Sequence, residues 1–205
     1  MKRRELIQGA SAAGLLGLLG GCAVPLPGAA RPKVVVVGGG WGSATAAKYI
    51  RTLSEGRIDV TLVEPAERFV SCPLSNLVLE GARDIGSLST SYDALATRHG
   101  VTLARDRATA IDPAKKTVTL AGGATLAYDK LVLSPGIDLQ FDAIDGLRAA
   151  HDERRILQAW KAGPETVALR RQLEELPNGG VFAMSIPEAP YRCPPGPYER
   201  ACQVA

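Results

Sequence analysis

Val34-Val35-Val36-Val37-Gly38-Gly39-Gly40-Trp41-Gly42-Ser43 runs four β-branched residues straight into a glycine cluster. Consecutive valines suit a strand covered on both faces of a parallel sheet. Gly38 permits the tight turn that comes next, and Gly40 lets the backbone approach a pyrophosphate with no Cβ in the way. The next helix, roughly residues 43–53, would aim its N-terminal N–H groups at the anion. Ser43 stands where a G-x-G-x-x-G pattern would place its third glycine, and Gly39, Trp41 and Gly42 fill the turn. Working outward, residues 59–63 read as the second strand. It ends at Glu64, about twenty-five residues beyond Gly38, where a carboxylate would accept a ribose hydroxyl. A dinucleotide site over Gly38–Ser43 and Glu64 is the expectation. A buried strand with a ligand-free glycine turn is the alternative.

Residues 1–30 read as an address. Lys2-Arg3-Arg4 forms a basic head, and the apolar run from Ala10 to Leu19 is too short to span a bilayer. The adjacent arginines resemble a twin-arginine export signal, which implies a periplasmic protein folded around its cofactor before export. Leu19-Gly20-Gly21-Cys22 also resembles a lipoprotein box, so a lipid anchor at Cys22 stays open beside signal cleavage. The sequence carries 24 lysines and arginines against 21 acidic residues. Without Lys2, Arg3, Arg4 and Glu5 the balance is 21 against 20, which gives no electrostatic reason to expect nucleic acid as a partner. No transmembrane span is expected.

Residues 31–148 read as one α/β domain. Residues 69–81 form a loop entering a short helix, and residues 92–99 form a second helix stopped by Gly100. Four short alternating runs then begin at Val101, Ala108, Thr117 and Thr125, the later ones separated by Asp112-Pro113 and Gly122-Gly123, as in an antiparallel meander. Residues 128–136 return to a parallel strand that ends in Ser134-Pro135-Gly136. This order resembles the FAD-binding, Rossmann-like domain of two-dinucleotide-binding-domain flavoproteins. There the last strand ends in Ala-Thr-Gly beside the flavin, so the resemblance makes flavin the expected cofactor and Ser134, Pro135 and Gly136 its contacts. Residues 149–205 are expected to open a second α/β domain. Within it, residues 152–176 are helix-prone, with Arg170-Arg171 and Glu174-Glu175 paired along a solvated face. Residues 179–187 read as a strand and residues 197–205 as the first turns of a helix. That is half a βαβ unit, so the second domain is expected to be truncated and the chain to be the N-terminal portion of a longer protein. His99 and His151 have no metal-ligand spacing around them, and no metal site is expected.

The cysteines carry the chemistry. Cys72 lies in Ser71-Cys72-Pro73-Leu74-Ser75-Asn76 at an apparent helix start, and Cys193 follows Arg192 in a proline-rich turn. A helix N-terminus and a neighbouring arginine both favour the thiolate, the form that attacks a disulfide or adds to an electrophilic flavin. On these two motifs, the valine–glycine stretch, Ala159-Trp160-Lys161-Ala162-Gly163 and Arg192-Cys193-Pro194-Pro195-Gly196-Pro197-Tyr198-Glu199-Arg200, the chain resembles the flavoprotein subunit of flavocytochrome c sulfide dehydrogenase. The resemblance implies FAD held covalently through Cys72 and Cys193 as one half of a redox-active disulfide over the flavin. Sulfide would attack that disulfide, and electrons would pass through the flavin to a c-type cytochrome partner. The partner of Cys193 would lie beyond this sequence, which implies no turnover by these 205 residues alone. An inert thiol stays open for either residue, as does a non-covalent flavin contact for Cys72; Cys202 is taken as structural. The functional alternatives are a sulfide:quinone or NAD(P)H-linked flavin disulfide oxidoreductase and a non-catalytic nucleotide-binding module.

Overall fold

In a computed structural model that describes residues 30–187 and 189–205, the valine run forms strand β1 (Lys33–Val37). The export segment, apart from Ala30, and Cys22 lie outside the described residues. All the elements named below belong to the unit Pro32–Ala205.

β1 is central because its two faces both find partners. Val34 and Val36 join Ala47, Val60, Leu62, Tyr92 and Val101 in one core. Val35 and Val37 join Val63, Val118 and Leu120 in a second. Successive side chains of a strand point to opposite faces, so a run of identical apolar residues serves two cores at once. Helix α1 (Trp41–Leu53) covers the first face with the fully buried Ala47. It starts two residues earlier than the sequence suggests, taking Trp41 and Gly42 into its first turn. Strand β2 (Asp59–Val63) lies parallel to β1, Val34 beside Val60 and Val37 beside Val63. Arg51, in the last turn of α1, fastens this return by donating to the carbonyls of His99, Gly56 and Ile58.

Strands β3 (Arg68–Val70) and β4 (Ser89–Ser91) form a small antiparallel pair that the sequence did not announce. Helix α2 (Asn76–Glu80) sits between them. Its start at Asn76 corrects the placement of Cys72 at a helix N-terminus, since Cys72 instead opens the preceding turn. Helix α3 (Asp93–His99) ends as expected at Gly100.

Strand β5 (Thr102–Ala104) corrects a second expectation. It belongs to the main sheet, parallel to β2, and not to the meander. The meander proper is β6 (Ala108–Asp112), β7 (Thr117–Leu120) and β8 (Thr125–Ala127), antiparallel throughout. It packs Val118 and Leu120 onto the second face of β1. Strand β9 (Lys130–Leu133) then pairs parallel to β1 on its other side, giving the sheet order β5-β2-β1-β9. The result is a single Rossmann-like α/β unit with an antiparallel insertion.

Past β9 come helices α4 (Leu147–Asp152), α5 (Pro164–Glu174) and α6 (Pro195–Val204). The expected helical stretch 152–176 is thus α5 alone, with α4 ending where that stretch was to begin. Residues 179–187 are not a strand. Val181, Phe182, Met184 and Ile186 are exposed, and a strand-like composition with no neighbouring edge leaves its backbone polar groups no ladder to enter. Arg170 does bond Glu174, but it also donates 2.7 Å to the Leu79 carbonyl, so this face docks α5 on α2 and is not simply solvated.

Candidate functional site

The parallel strands β1 and β9 end side by side, and the candidate site lies where the chain leaves them. Gly38 N–H donates 2.9 Å to the Val63 carbonyl, and Ser134 N–H donates 3.0 Å to the Val37 carbonyl. Gly38 adopts φ +101°, and a Cβ placed on it would sit 2.1 Å from the Ser134 oxygen. Only glycine meets both demands, so the turn and the Ser134-Pro135-Gly136 exit are pressed together at backbone distance. Ser43, fully buried in the third-glycine position, donates a long 3.5 Å hydrogen bond to the same Ser134 carbonyl. A small side chain there preserves the close approach of α1 to β9. Gly42 sits above Ser134, where an added Cβ would come within 2.9 Å of its hydroxyl.

Gly40 is different. It takes an extended conformation ahead of α1, its carbonyl accepts the first helical bond from Ala44, and a Cβ there would meet nothing within 4 Å. The fold therefore does not need glycine at 40. The open space lies over the helix N-terminus at the carboxyl ends of the strands, where anionic ligands bind doubly wound sheets. A dinucleotide pyrophosphate fits this cradle. Trp41 stands exposed beside it, edge-on to Phe69 with ring centroids 5.1 Å apart.

Glu64 follows β2 as expected. Its backbone N–H donates to the Ala104 carbonyl, while its carboxylate accepts from the Ala66 N–H at 2.9 Å. With Leu62, Tyr92, Leu103, Ala104 and Arg105 it lines a small cleft. Tyr92 went unmarked in the sequence. It is buried, and its hydroxyl donates 3.0 Å to the Gly39 carbonyl, fixing the middle of the glycine turn. Burial pushes its pKa up to about 12, with the Glu64 charge adding and Arg105 opposing. The only local hint was a tyrosine at the start of a short helix, where a buried hydroxyl needs an acceptor.

Arg105 lies 5.4 Å from the Tyr92 ring centroid and donates to the Ala66 and Glu67 carbonyls. His151, given no role by the sequence, stacks on Phe141 and pairs with Glu165 at 2.8 Å, joining α4 to α5.

Cys72 and Cys193 are both exposed and, with Cys202, form no disulfide. Each opens a turn leading into a helix. Ser75 donates to the Cys72 carbonyl from its N–H (3.0 Å) and its hydroxyl (2.7 Å). Gly196 N–H donates to the Cys193 carbonyl at 2.9 Å, with Cys193 itself at φ +55°. Helices α2 and α6, which come after these cysteines, pack against each other. Among the described residues no group of three or more His, Cys, Asp and Glu could hold a metal, and no helix is long and apolar enough to cross a membrane.

Comparison with known proteins places this geometry. Residues 32–169 match the pyridine nucleotide-disulphide oxidoreductase family, and residues 166–205 match the central region of the flavocytochrome c sulfide dehydrogenase flavoprotein chain. A sulfide dehydrogenase [flavocytochrome c] flavoprotein chain from Chlorobaculum thiosulfatiphilum is 61% identical over 46 residues, 22% of this chain and 94% of that one. The mitochondrial sulfide:quinone oxidoreductase of Mus musculus is 26% identical over 174 residues, covering 80% of this chain and 36% of the relative. Among solved structures, the sulfide:quinone oxidoreductase of Aquifex aeolicus superposes with a TM-score of 0.63 at 26% identity, over 71% of this chain and 32% of that one. The chain spans 25–36% of the length of the longer curated relatives it matches first.

Proposed function

This chain belongs to the pyridine nucleotide-disulphide oxidoreductase family, and from that premise we propose that it holds FAD for a flavin-dependent oxidation of sulfide of the sulfide:quinone oxidoreductase kind. One observation carries the flavin half: backbone open to a ligand at Gly40, framed by Gly38 against Ser134. Likeness to sulfide:quinone oxidoreductases in sequence and in structure supports the sulfide half.

In this reading residues 31–148 are the flavin domain and residues 149–205 open the next one. The turn Gly38, Gly39, Gly40, Trp41, Gly42 and Ser43 would receive the diphosphate at the start of α1, on N–H groups past Gly38, whose own N–H stays on the Val63 carbonyl, and Glu64 would accept a ribose hydroxyl. Ser134, Pro135 and Gly136 line the flavin side. Cys72 supplies a thiol that tethers the cofactor, and Cys193 supplies one sulfur of a disulfide that sulfide would attack, the S–S bond breaking to leave a persulfide on one cysteine and a thiolate on the other, with FAD as the two-electron acceptor that restores the disulfide. FAD held there would supply two-electron uptake with release singly or in pairs.

A second reading keeps the sulfide chemistry and changes the acceptor to a c-type cytochrome in the periplasm. The Chlorobaculum likeness and the match over residues 166–205 favour it. It carries with it export by the twin-arginine-like leader, with or without lipid at Cys22.

Sulfide-dependent reduction by the native protein, measured with a short-chain ubiquinone and with cytochrome c, separates these readings. Quinone reduction alone supports the first, and cytochrome c reduction alone supports the second. A Cys193→Ser variant is expected to keep its flavin and lose turnover with either acceptor; unchanged turnover removes Cys193 from the chemistry. No sulfide-dependent reduction of any acceptor leaves only a nucleotide-binding module.

A further inference from the structure

The sequence segments around Cys72, Trp160 and Cys193 are far apart along the chain, and one side chain bonds to two of them from within the third. Arg200, in α6, donates from Nε to Asn76 Oδ1 at 3.0 Å and from a terminal nitrogen to the Ala159 carbonyl at 2.6 Å. Asn76 is the first residue of α2 and is buried, with 7% of its surface exposed. Ala159 lies in a turn that is itself braced: Gln158 Oε1 accepts from the Trp160 and Lys161 N–H groups, and Gln158 N–H donates to Glu165. Burial lowers the Arg200 pKa from its ordinary value, Glu199 acting against this. Neither of the two acceptors is a carboxylate, so the cost of desolvating the guanidinium is offset by geometry at neutral oxygens.

We propose that Arg200 is a positioning residue that holds the Cys193 turn in a fixed place relative to the Cys72 turn. The connection is continuous. The Cys72 carbonyl is bound by Ser75, which adjoins Asn76; Asn76 is bound by Arg200; and α6 begins at the turn closed by Gly196 on the Cys193 carbonyl. A planar fork reaches two acceptors that diverge from one another, which a single ammonium at the same site does not. The significance of the two cysteines rests on the function proposed above, but the mechanical coupling does not.

Backbone hydrogen exchange of the native protein, read by mass spectrometry, tests it without recourse to activity. Arg200→Lys is expected to speed exchange about tenfold in residues 72–80 as well as in 193–204, with β1 unchanged, because local opening is released and global stability is not. Asn76→Ala is expected to loosen 193–204 from the other end, and Asn76→Asp, which keeps the acceptor oxygen, is expected to restore protection there. Loosening confined to the helix that carries the substitution overturns the proposal, as does a uniform rise that includes β1. Where Arg200→Lys does not fold, the Asn76 pair decides in the same way. An inactive protein that still shows the coupled loosening fails the sulfide reading and keeps this one.

Discussion

A methyl group added at Gly38 would sit 2.1 Å from the Ser134 oxygen on a backbone at φ +101°, while one added at Gly40 would meet nothing within 4 Å. Gly38→Ala is therefore expected to cost roughly 2 kcal/mol or more, with the turn and β9 forced apart. Gly40→Ala is expected to leave stability within about 0.5 kcal/mol and yet to weaken FAD binding, since the proposed diphosphate would occupy that space. Denaturant unfolding and flavin titration on the two variants separate fold from function; equal flavin affinity in Gly40→Ala would place the diphosphate elsewhere. Tyr92 joins the same turn from below. Its pKa rises from 10.0 in the open chain to about 12 when folded. Between those values the folded form keeps a proton that the unfolded form has lost, so stability contributed by the neutral hydroxyl is whole below pH 10 and falls as pH climbs towards 12. Tyr92→Phe is expected to unfold about 1 kcal/mol more easily at neutral pH, through loss of the bond to Gly39. It is also expected to show a shallower loss of stability above pH 10 than the parent protein.

At the scale of elements, the meander holds the sheet from the side α1 does not cover. Val118 is fully buried in β7 against the Val35–Val37 face. Val118→Ala is expected to cost roughly 2 kcal/mol by denaturant unfolding, and a change within about 0.5 kcal/mol would mean that the insertion packs loosely. β1, β2 and α1 were legible because each has a pattern its own residues impose: a valine run, a strand ending on a carboxylate, a helix opening directly from a glycine turn. Strand β5 was not. Three alternating residues read alike whether they enter a parallel sheet or a hairpin, and the partner, β2, lies some forty residues back. Residues 179–187 failed in the opposite way, since strand-like composition states a preference and only a neighbouring edge turns it into a strand. The glycine turn could be read locally. The Arg200–Asn76 bond spans 124 positions, and no local pattern reports it.

For the whole molecule, the proposed chemistry would depend on bringing distant segments to one cofactor. The glycine turn, Glu64 and Ser134-Pro135-Gly136 gather at the carboxyl ends of one parallel sheet, and α2 and α6 bring together the helices behind Cys72 and Cys193. The most direct measurement is the intact mass of the native protein after acid denaturation, beside that of its Cys72→Ser variant. Flavin seated in this cradle and tethered at Cys72 predicts a chain heavier by one FAD, with the variant unmodified and its flavin free in the supernatant. An unmodified native chain with free flavin contradicts the tether, and no flavin in either fraction contradicts the account as a whole.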